Sequence, residues 1–170
     1  ARLKNGKIIR GESKIPKAVS KMESPIEEVF LEPSGVQPLN SAVEAIMNAD
    51  MIVLGPGSLY SSIIPNLLVG GISDAIRSAG GMKVIVCNVM TQAGETDDYT
   101  VVDYVDAIEK YLGSGVAEYI LINDHICQPE ELNAYICRGT RQMCAGSGER
   151  EILAQRGITV IESNLIDISD

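Results

Sequence analysis

Short apolar runs alternate with longer amphipathic stretches along most of this chain. Asp50–Leu54, Lys83–Val89, Tyr119–Ile122 and Ile158–Ile161 are compact aliphatic runs bounded by glycine, proline or polar residues. Runs of that length and composition predict buried strands. Between them, apolar residues recur at helical spacing. Ser41 with Glu44 forms a capping-box pattern that predicts a helix to about Asn48. A helical stretch over Leu59–Val69 contains Pro65, and Ile72–Ala79 lies between two glycine pairs. Thr100 with Asp103 predicts a capped helix running to about Leu112. Pro129 suits the first turn of a helix reaching Arg138, and Glu149–Arg156 is helical with Gly157 as its stop. Strands that alternate with helices predict βαβ units and a parallel sheet, an α/β fold.

One region, at the start, stands outside this rhythm. Asn5-Gly6 between Arg2-Leu3-Lys4 and Lys7-Ile8-Ile9-Arg10 predicts a type I′ hairpin, followed by a polar stretch to Pro25 and a strand over Ile26–Leu31. That hairpin reads as an extension or as the edge of a larger sheet. A short strand is expected near Gln142-Met143-Cys144.

Composition sharpens the picture. The 170 residues fit a single domain, on a guide of roughly 150 residues per domain. There is no Trp and a single Phe against 21 Ile, so the core must be aliphatic. Lys and Arg total 14 against 23 acids, a net charge of −9, which excludes a global attraction to duplex nucleic acid or an anionic membrane. It leaves open a nucleotide held locally by backbone amides. No run of ~18 apolar residues is long enough to span a bilayer, and no secretory leader is visible. Cys87, Cys127, Cys137 and Cys144 show no paired spacing, and His125 is the only histidine. That pattern predicts reduced thiols in a cytoplasmic protein rather than a zinc site.

Parallel sheets place ligands outside the carboxyl ends of their strands. Three loops leave such ends, beginning at Gly55, Asn88 and Asn123. In Gly55-Pro56-Gly57-Ser58 the glycines allow close approach to the backbone, and Ser58 is placed to cap the next helix, whose amides favour an anion. Ser61 and Ser62 add hydroxyls one turn in. A tight turn without a ligand is the alternative, because no Lys-Ser/Thr pair follows and Tyr60 stands where a dinucleotide fingerprint has its third glycine. In the second loop, Asn88 can read a base or sugar edge, and Met90, Thr91, Gln92, Glu95 and Thr96 follow it. Glu95, Asp97 and Asp98 could hold Mg²⁺, although the aspartates equally suit the start of the next helix. His125 could act as a general base or simply be solvated. Tyr135 could stack on a base or pack in the core.

From Asp50 to Val69 the sequence resembles the YvcK branch of the CofD-like family, the gluconeogenesis factors. Val86–Gln92 with Gly94-Glu95-Thr96 resembles the family's second signature, and Gly11–Ile15 a third. The resemblance implies a Rossmann-like, three-layer, mostly parallel sheet in a bacterial cytoplasmic protein. It implies a regulator that binds UDP-sugars such as UDP-N-acetylglucosamine and acts on carbon metabolism, cell shape and wall synthesis. The related CofD branch implies the alternative, a Mg²⁺-dependent 2-phospho-L-lactate transferase of deazaflavin cofactor synthesis. Neither branch implies nucleic acid or a membrane span, and self-association stays open. Carried over by position, Gly55, Pro56, Gly57, Ser58, Asn88, Met90, Thr91 and Gln92 would line the crevice, with Tyr135 a further candidate. The chain departs from the pattern at Ala93, where a Pro is usual, at Tyr104, where a His is usual, and at Ser61, where a Thr is usual. The family's early Gly-rich phosphate loop and late Arg-His-Asp stretch have no counterpart. The chain is therefore expected to be a C-terminal portion of the full fold.

Overall fold

The structure is a computed structural model that describes residues 1–128 and 139–166. A small antiparallel sheet pairs β1 (Arg2–Leu3) with β2 (Ile26–Glu28). Between them lies α1 (Ile15–Met22), a helix within the stretch expected to be merely polar. Its signal was faint: Ile15 and Val19 sit four apart and are buried, with Pro16 in the first turn. The turn after β1 also differs from the type I′ expectation. Gly6 alone takes positive φ, at 80°, after a bond from its N–H to the Leu3 carbonyl. That is the pattern of a longer hairpin loop closed by a left-handed glycine. Strand β2 stops at Glu28, short of the expected Leu31.

The main sheet holds β3 (Met51–Leu54), β4 (Met82–Val86), β5 (Tyr119–Asn123) and β6 (Thr159–Ser163), all parallel and in that spatial order. Helices α2 (Asn40–Met47), α4 (Ile72–Ser78), α5 (Val101–Leu112) and α6 (Ser147–Gln155) pack side by side in one row. Between β3 and α4, the expected single helix Leu59–Val69 is split. Leu59–Ile63 is a π-type turn, with Ile63 N–H bonded to the Ser58 carbonyl at 3.0 Å, and α3 is Ile64–Leu67 with Pro65 in its first turn. The α5 cap is as expected: Asp103 N–H donates to Thr100 Oγ1 at 3.1 Å and Thr100 N–H to Asp103 Oδ2 at 2.8 Å. Helix α2 instead starts at Asn40 after Leu39, with no side-chain cap, so Ser41 lies inside the helix. Residues Gln142–Cys144 form an isolated antiparallel bridge, Met90 to Gln142, rather than a strand. The expected helix Pro129–Arg138 lies outside the described residues.

Residues paired across a parallel ladder share a face. Ile85 pairs with Ile120, Ile120 with Val160 and Ile122 with Glu162; Ile85, Ile120 and Ile122 are fully buried. On the other face Met51 pairs with Met82, Val53 with Val84, and Leu121 with Ile161. There Met51, Val53, Met82 and Ile161 are 52, 50, 37 and 43% exposed. The cause is topological. A sheet that advances one strand at a time in one direction, through right-handed crossovers, puts every crossover helix on the same side. The buried residues Tyr104, Val105, Ile108 and Leu112 of α5 complete the core on that side.

Candidate functional site

Leu54 ends β3 and the chain turns at once through Gly55-Pro56-Gly57-Ser58. Gly55 holds φ at 96°, and a Cβ there would lie 2.7 Å from the Val86 carbonyl oxygen, so the turn needs glycine on two counts. Gly57 is bound from the next strand's loop. Its N–H donates to Asn88 Oδ1 at 3.0 Å, and Asn88 Nδ2 donates to the Gly57 carbonyl at 2.8 Å. The Asn88 side chain thus clamps one rim loop to another, rather than pointing free as a reader of bases.

Ser58 does not cap the following segment. Glu95 takes that place: Tyr60 N–H donates to its Oε2 at 2.9 Å and Ser61 Oγ to its Oε1 at 2.6 Å. Glu95 is 4% exposed, so its carboxylate depends on these charge-assisted bonds. The anion expected from a ligand at this helix start is therefore supplied by the protein. The same bonds use both Glu95 oxygens, and Asp97 Oδ2 accepts from Gly94 N–H at 2.8 Å. Among the described residues no three His, Cys, Asp or Glu groups converge as a metal set. In this arrangement Glu95 and Asp97 bind the protein's own loops, and Asp98 is exposed at a φ of 59°.

The rest of the second loop is built by its own polar residues. Thr91 Oγ1 accepts from Arg141 N–H at 2.9 Å, and Thr96 Oγ1 accepts from Gln92 N–H at 2.8 Å. Thr91 and Thr96 are buried. Gly94 has φ of 80°, and a Cβ there would lie 2.2 Å from the Pro16 carbonyl oxygen of α1. The three motif regions, Gly11–Ile15 running into α1, Gly55–Ser61 and Asn88–Thr96, therefore meet at one end of the molecule. Asn123 is also buried: its Nδ2 donates to the His125 carbonyl at 2.8 Å, and its Oδ1 accepts from Leu165 N–H at 3.0 Å.

What remains accessible is a subset of the expected residues. Pro56 and Ser62 are exposed, and Gly55, Gly57, Ser58, Ser61, Asn88, Met90 and Gln92 are half-buried. They do not share one cavity. Gly55, Pro56 and Ser62 line an open groove of about 690 Å³ beside β3. Ser61 faces a cavity of about 290 Å³ with Arg10 and Gly11, and Glu95 lines one of about 390 Å³ with Ser20 and Tyr99. Tyr135 lies outside the described residues. One feature was missed in the sequence. The Tyr60 and Tyr99 hydroxyls lie 2.6 Å apart and their rings meet edge to face, with burial pushing the Tyr60 phenol up. Tyr60 in a glycine's place was the available signal. Burial also pushes the Cys87 thiol up to about 12, and Cys87 and Cys144 are free thiols.

A one-directional parallel sheet with a glycine turn clamped at its carboxyl rim defines a Rossmann-like α/β protein. The profile of the family described as "2-phospho-L-lactate transferase CofD" matches residues 1–166, and the chain belongs to that family. A Clostridium acetobutylicum relative is 41% identical over 170 residues, all of this chain but 37% of the relative. The "Gluconeogenesis factor" of Bacillus subtilis is 37% identical over 166 residues, 98% of this chain and 50% of that protein. A crystal structure of a UPF0052 family member from Bacillus halodurans superposes with a TM-score of 0.89 at 38% identity, covering 99% of this chain and 52% of that one. The chain spans about half the length, or less, of the relatives it matches. Among the described residues no single helix is long and apolar enough to cross a membrane.

Proposed function

We propose that this chain supplies one wall of the ligand crevice of a cytoplasmic regulatory protein that binds a UDP-sugar, such as UDP-N-acetylglucosamine, in bacterial carbon metabolism, cell shape and wall synthesis. The observation that carries the reading is the Gly57–Asn88 clamp. It fixes a glycine turn at the carboxyl rim and leaves Ser58, Met90 and Gln92 accessible beside it. A rim fixed before binding loses little freedom when a ligand arrives. Recognition here rests on loop backbone and neutral polar groups, since the nearby positive helix end already faces Glu95.

A second reading has its own support. The matching family is described as a 2-phospho-L-lactate transferase, and phosphoryl-type transfer asks a protein chiefly for positioning. The Mg²⁺ of that reading would need only one or two carboxylates beside the phosphate oxygens, and no step is assigned to it.

Thermal unfolding of the full-length protein with UDP-sugars, GDP with Mg²⁺, and a deazaflavin separates the two. A ligand at a hundred times its Kd adds about 2.7 kcal/mol to stability. A UDP-sugar should therefore raise the midpoint by several degrees, and Gly57→Val should abolish the rise while keeping the unliganded midpoint. Stabilisation by GDP with Mg²⁺ alone would put the transferase reading in its place.

A further inference from the structure

Among the described residues the arginines are used in one way, with a single exception. Arg2, Arg10, Arg77, Arg150 and Arg156 each pair with a carboxylate. Arg141 pairs with none, in a chain whose 23 acids outnumber its 14 lysines and arginines. Acids close to its partner Tyr99 in sequence are engaged elsewhere. Glu95 accepts from Tyr60 and Ser61, Asp97 from Gly94, and Asp103 from Thr100.

Arg141 is nevertheless held in place. Its N–H donates to Thr91 Oγ1 at 2.9 Å, its carbonyl accepts from Thr91 N–H at 2.7 Å, and Met143 N–H donates to the Val89 carbonyl at 2.9 Å. Gln142 reaches the third rim loop, where Cys127 N–H donates to its Oε1 at 3.1 Å. Residues 141–143 are thereby laid across the carboxyl rim, between the loops that leave β4 and β5. The guanidinium is anchored by one bond, from Nη2 to the Tyr99 carbonyl at 3.1 Å, and the side chain is exposed. Four of its five N–H donors are left for a ligand. Two other cations are held by backbone alone: Lys83 Nζ donates to the Ala79 carbonyl at 2.6 Å and Lys110 Nζ to that of Glu27 at 2.7 Å. Lys83 lies at the start of β4 and Lys110 in the last turn of α5, so both sit at the opposite, amino end of the sheet.

We propose that Arg141 is the anion-reading residue of the rim and binds a phosphoryl group of the ligand through its guanidinium fork. This role rests on the nucleotide-sugar reading above and deepens it. The groups at the Gly57 turn are neutral, and the helix start beside them faces Glu95, so the charge of a diphosphate has to be met by a neighbouring cation. A guanidinium meets phosphate oxygens with two parallel N–H bonds, whereas an ammonium acts as a point charge. Lys14, Lys17 and Lys21 along α1 are exposed and have no anchoring bond among the described residues, so they attract an anion without orienting it. Tyr99 links Arg141 to the glycine turn. Its carbonyl anchors the guanidinium, and its hydroxyl lies 2.6 Å from that of Tyr60.

The test is titration calorimetry of the full-length protein and its Arg141→Gln, Arg141→Lys and Lys17→Gln variants with UDP-N-acetylglucosamine, GDP with Mg²⁺, and inorganic pyrophosphate. Arg141→Gln should weaken whichever nucleotide binds by at least about tenfold, the size of a lost charge-assisted bond. It should also flatten the fall of affinity with added salt, because salt screens the interaction removed. Arg141→Lys keeps the charge, loses the fork and should bind with intermediate affinity. Lys17→Gln removes the same charge from an unanchored site and should change affinity by less than about twofold. The unfolding midpoint should stay at the wild-type value in all three variants, since the backbone bonds of Arg141 do not need its side chain. Equal affinity of Arg141→Gln and wild type overturns the role of Arg141. So does an equal loss in Lys17→Gln, because Arg141 is then one charge among many. Arg141-dependent binding of GDP without binding of the UDP-sugar removes the UDP-sugar reading and leaves Arg141 as the phosphate contact. Binding of the UDP-sugar that ignores Arg141 does the reverse. If none of the three probes binds the wild-type protein at millimolar concentration, both readings fall.

Discussion

The two faces of the sheet are made of nearly the same residue types and live in different surroundings. Ile85, Ile120 and Ile122 face the helix row and are fully buried; Met51, Val53, Met82 and Ile161 face away and keep between 37 and 52% of their surface exposed. The difference teaches that hydrophobicity alone does not mark a core position. The winding direction of the sheet decides which face a chain can cover by itself. A continuous aliphatic strand reports that both faces are meant to be buried, and it is silent on whose chain does the covering.

The largest test of that contrast is Ile120→Ala, which opens a cavity under α5 and should cost about 2–5 kcal/mol in chemical denaturation. Val53→Ala, on the open face of the same sheet, should cost less than about 0.5 kcal/mol in the isolated chain. Equal losses would mean that the faces are equally packed.

A second contrast lies within the polar interior. Glu95→Ala strands the buried Tyr60 N–H and the Ser61 hydroxyl, and a loss of about 1–3 kcal/mol is expected. Glu95→Gln keeps the shape and one acceptor oxygen, so it should lose less. If both variants unfold at the wild-type midpoint, Glu95 does not cap this segment. Tyr104 is the opposite case: its hydroxyl is buried without a hydrogen-bond partner. Tyr104→Phe removes no bond and should leave stability unchanged or raised by up to about 1 kcal/mol, read from the same denaturation curves.

The smallest effect concerns reactivity. Cys144 is exposed, whereas Cys87 is 1% exposed with its thiol pushed up to about 12. A raised thiol pKa keeps the group protonated at neutral pH, and the thiolate is the reactive form. Iodoacetamide at neutral pH should therefore label Cys144 well before Cys87, as peptide mass mapping would show. Early labelling of Cys87 would mean that the covered face opens readily.

The strands were legible because Ile- and Val-rich runs bounded by glycine and polar residues have few other readings; β3 to β6 fall within one to three residues of their expected bounds, the widest gap being the end of β4 at Val86 rather than Val89. The α5 cap was legible because Thr100 and Asp103 are neighbours in sequence. Helix α1 was hidden because it is only eight residues long, is interrupted by Lys17, Ser20 and Lys21, and buries only Ile15 and Val19. Ser41 and Ser58 satisfied local capping rules and cap nothing, since Leu39 and Glu95 settle those starts through chain geometry. For Glu95 the partners are 34 and 35 residues away, beyond any local pattern. The rim loops were found from strand ends alone. That Asn88 and Glu95 would tie those loops together needed the structure.

The Tyr60–Tyr99 pair offers a built-in optical probe. With no tryptophan in the chain, near-ultraviolet absorption and emission come from six tyrosines, and two of them share a hydroxyl contact at the base of the glycine turn. Tyr60 is also tied through its N–H to Glu95. A ligand that shifts the Gly55–Ser58 turn must therefore alter the signal of these two rings, so the protein can be titrated without any label.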